Sequence, residues 1–238
     1  MLAPWSDVLS DWLDSPIPVI PAVDVLGEGA VRLRQGSYDE VVDRAGDPLA
    51  LARRFAAAGA ARVHLVDLDG ARSGKARPEL VRRVAGAATP AKLQASGGIR
   101  SLEDALATLD AGAERVVVGT AAFPDPVPWA DSLGERLVVA LDVRDGIVRT
   151  AGWTEASGLT RERAVELCLE AGVGRVLCTA IDRDGTLAGP DLALVESVAA
   201  SGLAVLAAGG VRSPRDVGDL ASAGAEAAVV GRAIISAA

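Results

Sequence analysis

The chain has 238 residues, half of them apolar, and a formal net charge of −8. That is length enough for one α/β barrel or two smaller domains, with material for a large core, while the acidic balance argues against nucleic acid or an anionic membrane as partner, since both need a basic patch. Aromatics are scarce, at four Trp, two Phe and one Tyr, so the core falls to Ala, Val, Leu and Ile, which suits strands buried on both faces.

Pro4–Asp14 carries Trp5, Val8, Leu9, Trp12 and Leu13 at helical spacing, which predicts an amphipathic helix within an N-terminal extension over 1–16. The segment is acidic where a signal peptide would be basic. The longest uncharged stretch, Ser197–Val211, is too short to span a bilayer, so a soluble cytoplasmic protein is expected. Val19–Asp24 reads as a strand ending in a carboxylate, followed by a turn over Gly27–Gly29 and an extended Ala30–Leu33. A helix over Pro48–Ala58, a strand over Val63–Asp67 and a helix over Pro78–Ala85 come next. Beyond Thr120 a helix is expected over Pro124–Leu133, a strand over Leu137–Asp142, a helix over Thr160–Glu170, a strand over Val176–Thr179 and a helix over Asp191–Ala200.

The remaining stretches are copies of one another. Leu93–Thr120, LQASGGIRSLEDALATLDAGAERVVVGT, recurs as Val205–Arg232, VLAAGGVRSPRDVGDLASAGAEAAVVGR, with Gly97 to Gly209 and Gly119 to Gly231 both offset by 112 residues. Each copy reads as strand, glycine turn, helix, strand, glycine turn. Eight strands alternating with helices are the (β/α)8 count of a single TIM-barrel domain over 1–238; a doubly wound open sheet, the alternative, has no reason to repeat by halves. Only Ala233–Ala238 follow the last strand, too few for a normal eighth helix. Pro128-Trp129-Ala130-Asp131 precedes the fifth strand as Pro4-Trp5-Ser6-Asp7 precedes the first, which places the N-terminal helix in the eighth-helix position.

In both copies the apolar run ends in Gly97-Gly98 or Gly209-Gly210, and Ser101 or Ser213 supplies a helix N-cap. Glycines there let backbone approach a ligand, and the first helical N–H groups with the positive dipole end favour an anion. With the second glycine turns, Gly119-Thr120 and Gly231-Arg232, the doubled pattern predicts a ligand with two phosphates; the plain alternative is that each Gly-Gly turns a tight corner.

Active sites of such barrels lie at the C-terminal ends of the strands, where Asp24, Asp67, Asp142 and Thr179 fall. Asp24 and Asp142, on opposed strands between two phosphate sites, read as a general acid/base pair acting on the middle of a bisphosphate, against the alternative of two solvated loop caps. Asp67 is read as a structural or site-shaping residue rather than the proton carrier. Asp184 lies in Ile181–Thr186, a charged loop long enough to be a lid. Lys75 sits in a loop and Lys92 at a strand start, so a Schiff-base lysine is not indicated. His64 lies inside a strand and is read as a core or bottom-half residue; Cys168 and Cys178 have no C-x-x-C spacing, so neither metal nor disulfide is expected. No dinucleotide motif points to a cofactor.

Pro21-Ala22-Val23-Asp24-Val25, Ala30-Val31-Arg32-Leu33, Val63-His64-Leu65-Val66-Asp67-Leu68, Ser96-Gly97-Gly98-Ile99-Arg100, Ala140-Leu141-Asp142, Gly152-Trp153, Asp184-Gly185-Thr186 and Val230-Gly231-Arg232 together resemble the histidine-biosynthetic ProFAR isomerase (HisA) family, and within it the bifunctional actinobacterial PriA branch, over Ile17–Ile235. The resemblance implies an Amadori rearrangement of an aminoaldose to an aminoketose, without metal or cofactor, on a small bisphosphorylated ribotide; a monomer is expected. It implies Asp24 as general base, Asp142 as general acid, Thr179 as an aid to ring opening, and, in the bifunctional branch, Asp184 as the acid. Arg32, Ser96, Arg100, Trp153, Arg232 and the four glycine turns then bind substrate. The bifunctional pattern has Arg two residues before the Trp, where this chain has Ala151, so activity on phosphoribosyl anthranilate is expected to be weak or absent unless Arg149 substitutes. Two other readings are a HisF-type cyclase, which has a cysteine-containing first strand and a nearby lysine not found here, and a non-catalytic or engineered phosphosugar-binding barrel.

Overall fold

The computed structural model describes residues 5–150, 152–153 and 155–236; the expectations that fall on Pro4 and Ala151 lie outside them. In chain order the elements are α1 (Trp5–Leu13), β1 (Val19–Leu26), β2 (Gly29–Arg34), β3 (Ser37–Gly46), α2 (Pro48–Ala57), β4 (Arg62–Asp67), α3 (Leu68–Ser73), α4 (Pro78–Ala88), β5 (Lys92–Ser96), α5 (Leu102–Asp110), β6 (Ala113–Val118), α6 (Val127–Leu133), β7 (Leu137–Arg144), β8 (Ile147–Thr150), β9 (Glu155–Thr160), α7 (Arg161–Glu170), β10 (Arg175–Ala180), α8 (Leu192–Ala199), β11 (Ala204–Ala208), α9 (Pro214–Ser222), β12 (Ala227–Val230) and α10 (Arg232–Ser236).

Eight parallel strands close on themselves in the order β1, β4, β5, β6, β7, β10, β11, β12 and back to β1. Closure removes the open-sheet alternative: Val19–Pro21 pair with Ala228–Val230, leaving no free edge. Alternation along each strand separates two cores. Val23, Val63, Leu65, Leu93, Val116, Val139 and Val205 face the helices, while Ile20, Ala22, Val117, Val138, Ala140, Leu177, Leu206 and Val229 fill the barrel. The bulk of that interior is aliphatic, as the composition dictates.

Two hairpins depart from the simple count. β2 and β3 extend β1 in antiparallel fashion, and β8 and β9 extend β7. The starts of β7, β8 and β9 each fall 118 residues after those of β1, β2 and β3, so the halves repeat in these hairpins too. The extended Ala30–Leu33 is the inner strand of the first hairpin; β3 and the second hairpin were not foreseen, because bulged, half-polar ribbons carry little alternation.

At the N-terminal ends of the strands Arg62 and Lys92 both pair with Glu114, and Arg175 pairs with Glu226 at 2.5 Å. These ion pairs lie at the opposite end of the barrel from the C-terminal ends of the strands. Leu9 and Trp12 of α1 join the outer core, and α1 packs against α2. Among the described residues no helix is long and apolar enough to cross a membrane.

Candidate active site

All sixteen residues singled out in the sequence line one cavity at the C-terminal ends of the barrel strands. Asp24, Asp142 and Thr179 occupy inward positions of β1, β7 and β10, with Asp142 and Thr179 in register. Asp184 comes from the loop after β10, and Arg32 from β2. Ser96, Gly97, Gly98, Arg100, Gly119 and Thr120 form the wall contributed by the first half. Gly209, Gly210, Gly231 and Arg232 form that of the second, and Trp153 enters from the β8–β9 turn.

The carboxylates sit in different surroundings. Asp24 is ion-paired with the buried Arg32, Nη1 to Oδ2 at 2.5 Å, and Arg32 also donates through Nη2 to the Ala22 carbonyl. A side chain on Gly231 would press on the Arg32 guanidinium, within 3.0 Å of Cζ, which accounts for glycine at that position. Asp142 accepts hydrogen bonds from Thr179 and Trp153; burial raises its pKa, and these two bonds hold the rise in check. Asp184 is pushed up to about 7, first by burial, then by the negative charges of Asp24 and Asp142, against a smaller opposing pull from Arg32 and the Gly185 N–H. A carboxyl that keeps its proton near neutrality stands beside one held in an ion pair, the division of labour an acid/base pair requires.

The loops carrying these groups are tied together. Gln35 donates its backbone N–H to the Asp184 carbonyl at 3.2 Å and its side-chain amide to the Asp182 carbonyl at 2.9 Å. Arg232 donates to the Gly185 carbonyl at 2.6 Å and lies 3.7 Å from Asp43. Trp153 has a left-handed backbone, φ +73°, and its ring covers Gly36, where any side chain would collide with it. A left-handed Trp is unfavourable; here it puts the indole over the cavity mouth.

Two expectations need correction, at Ser213 and at His64. Just before the helix starts, the Asp104 carboxylate accepts the N–H groups of Arg100 and Ser101, and Asp216 accepts that of Arg212. Ser101 caps α5, but Ser213 makes no side-chain cap on α9, where its carbonyl takes the Asp216 N–H instead. The glycines also answer first to the protein: Cβ atoms at Gly97 and Gly98 would strike Asp67 and Lys75, and at Gly209 and Gly210 they would strike Ala180 and Gly189.

His64 is not a bottom-half residue. It lies inward on β4, level with Ala22 and Gln94, and lines the cavity floor. The signal was available in its parity: Val63 and Leu65 face outward, so His64 faces in. The same parity turns Asp67 outward, where it caps α3 and binds Arg77 with Nε to Oδ2 at 2.8 Å. Tyr38 and Arg149 also line the cavity and were missed as site residues or left conditional. Cys168 and Cys178 are free and buried, and burial pushes each thiol up to about 12, which makes them inert.

A family model for "Histidine biosynthesis protein" matches residues 18–238. The chain is 44% identical over 222 residues to a protein of Thermomicrobium roseum, covering 91% of each chain. It is 43% identical over 230 residues to one of Klebsiella pneumoniae, covering 91% of this chain and 93% of the relative. A Roseiflexus protein is 40% identical over 221 residues, with 91% and 93% covered. All three relatives are named 1-(5-phosphoribosyl)-5-((5-phosphoribosylamino)methylideneamino) imidazole-4-carboxamide isomerase. With the match running through nearly every element of the closed barrel, this chain belongs to the histidine biosynthesis protein family.

Proposed function

We propose that the chain is a ProFAR isomerase, converting the aminoaldose portion of that bisphosphorylated ribotide to an aminoketose. The observation that carries the reading is the convergence of Asp24, Asp142 and Asp184 on one cavity whose two walls are the glycine turns of the two halves. A substrate with a phosphate at each end is pinned between those walls, with its ribose carbon facing the carboxylates. The relatives' names describe two phosphoribosyl groups on one molecule, which fits two anion sites.

In this reading Asp184 is the general acid. It gives its proton to the ring oxygen as the furanose opens and the C1–N bond becomes an iminium. Asp24 then removes the C2 proton, the electron pair forming the C1–C2 double bond of an enolamine, which tautomerises to the ketose. Asp142 and Thr179 orient the opened chain, and Arg32 holds the Asp24 carboxylate in place. The surroundings favour Asp184 as the acid: Asp142 accepts two hydrogen bonds that stabilise its charge, whereas burial and the charges of Asp24 and Asp142 raise Asp184 against the pull of Arg32 and the Gly185 N–H.

Phosphoribosyl anthranilate is a weak substrate in this reading. Arg149 lines the cavity, and its Nε has no partner among the described residues, so it is the cation available to an anthranilate carboxylate. The reading takes the protein to be a cytoplasmic monomer that needs no cofactor. α1 takes the eighth-helix place, supported by its packing on α2. Turnover of ProFAR beside phosphoribosyl anthranilate by the purified protein tests the assignment: comparable efficiencies would overturn the preference, and no ProFAR turnover would overturn the reading.

A further inference from the structure

The barrel interior holds a buried polar pair. His64 and Gln94 are 3% and 0% exposed, and Gln94 Nε2 lies 3.1 Å from His64 Nδ1. β4 runs between β1 and β5, with Ala22, His64 and Gln94 at one level. The Nδ1 edge of the ring therefore turns toward Gln94 on β5, leaving the Nε2 edge on the side of β1 and the cavity, where Asp24 stands one inward position higher.

From this geometry we infer that Gln94 is a positioning residue: its amide N–H donates to Nδ1 and holds His64 as the neutral Nε2–H tautomer, which presents a hydrogen-bond donor to the Asp24 side of the active-site floor. A neutral imidazole has one donor and one acceptor nitrogen, and the bond at one fixes the role of the other. Reversing the amide would put the proton on Nδ1 and turn the Nε2 lone pair toward the Asp24 carboxylate, the stronger of the two charges that act on the ring, the other being Arg32. Burial drives the imidazole down to about 4, so the ring stays neutral where the enzyme works and serves as donor rather than base. Gln94 Oε1 is left without a partner among the described residues. The lock deepens the isomerase reading by naming what steadies its base and the floor on which the ribose rests.

His64 is the single histidine of the chain, so its ring nitrogens can be read without assignment by 15N NMR of the full-length protein. The expected spectrum is that of a neutral Nε2–H imidazole from pH 5.5 to 8, conditions set by the experimenter at roughly one to four units above the folded value. In Gln94→Met, close in volume, the tautomer preference should relax, and kcat on ProFAR should fall about 10- to 100-fold with KM within about twofold. His64→Gln, which keeps a donor near the Nε2 position, should retain more kcat than His64→Leu. An Nδ1–H spectrum in the wild type overturns the lock whether or not the protein turns over ProFAR. Unchanged kcat in a folded Gln94→Met overturns its role in the reaction. Should Gln94→Met fail to fold, the wild-type spectrum and the His64 pair still decide: equal rates in His64→Gln and His64→Leu overturn the donor.

Discussion

Arg32 and Asp24 form an ion pair in which the cation is almost wholly buried and the carboxylate is only partly so, 4% against 21% exposed. The arginine reaches Asp24 from the first hairpin and anchors its other Nη on the Ala22 carbonyl of the same strand. The carboxylate is thus fixed by its own strand and by the hairpin that strand leads into, with its exposed face toward the cavity.

Asp24→Asn should remove the base while leaving the shape of the pocket. Loss of a positioned general base costs about 100- to 10,000-fold in rate, so kcat on ProFAR should fall by at least the lower figure while ligand binding, measured by calorimetry, stays within a few-fold. Unchanged turnover would remove Asp24 from its role.

Asp184 gives a pH prediction of definite sign. Its folded pKa is about 7, above the ordinary carboxylate value of 3.8, so the folded state holds a proton that the unfolded chain has lost. The associated stability is present below about pH 4 and disappears as pH rises through about 7, amounting to at most about 4 kcal/mol. Asp184→Asn should therefore melt higher than the wild type at pH 8 and gain little at pH 4. Its kcat should be lost at both, and wild-type kcat should decline above about pH 7 as the acid deprotonates. Equal melting shifts at the two pH values would show that Asp184 is not protonated near neutrality.

The strand count and the residues around the cavity were legible because each rests on a short-range rule. Parity alone sends Asp24 inward, and Gly-Gly after an apolar run marks a strand's end. The hairpins were not legible, since β3 mixes Asp39, Glu40, Asp43 and Arg44 with Val41 and Val42 and pairs through bulges. The place of His64 was legible in principle, but a buried polar side chain looks like core until its neighbours on β1 and β5 are known. Nor could the sequence distinguish glycines demanded by a ligand from glycines demanded by an adjoining loop.

That distinction can be measured. A Cβ on Gly209 would sit 2.5 Å from the Ala180 carbonyl at φ +96°, so Gly209→Ala should destabilise by about 1–3 kcal/mol even in the absence of ligand. Gly86, inside α4 with open space for at least 4 Å around the place a methyl group would take, should behave oppositely, Gly86→Ala stabilising by about 0.5–1 kcal/mol. Urea denaturation of both variants checks the pair. A neutral Gly209→Ala would return that glycine to a purely ligand-facing role.

The N-terminal helix offers the last test, because its place in the barrel and its contribution to stability stand or fall together. Leu9 is fully buried and Trp12 nearly so, and the Leu13 side chain reaches to within 3.8 Å of where Gly59 would carry a Cβ, just before β4. Truncating a buried Trp costs about 3–5 kcal/mol, a large share of a domain's total stability. Trp12→Ala should therefore lower the melting temperature strongly, and deletion of residues 1–15 should go further, exposing Val19 and Phe55, which share the core with Leu9. A deletion variant as stable and active as the full chain would mean that the barrel closes without α1, and that the helix is an appendage rather than the missing eighth.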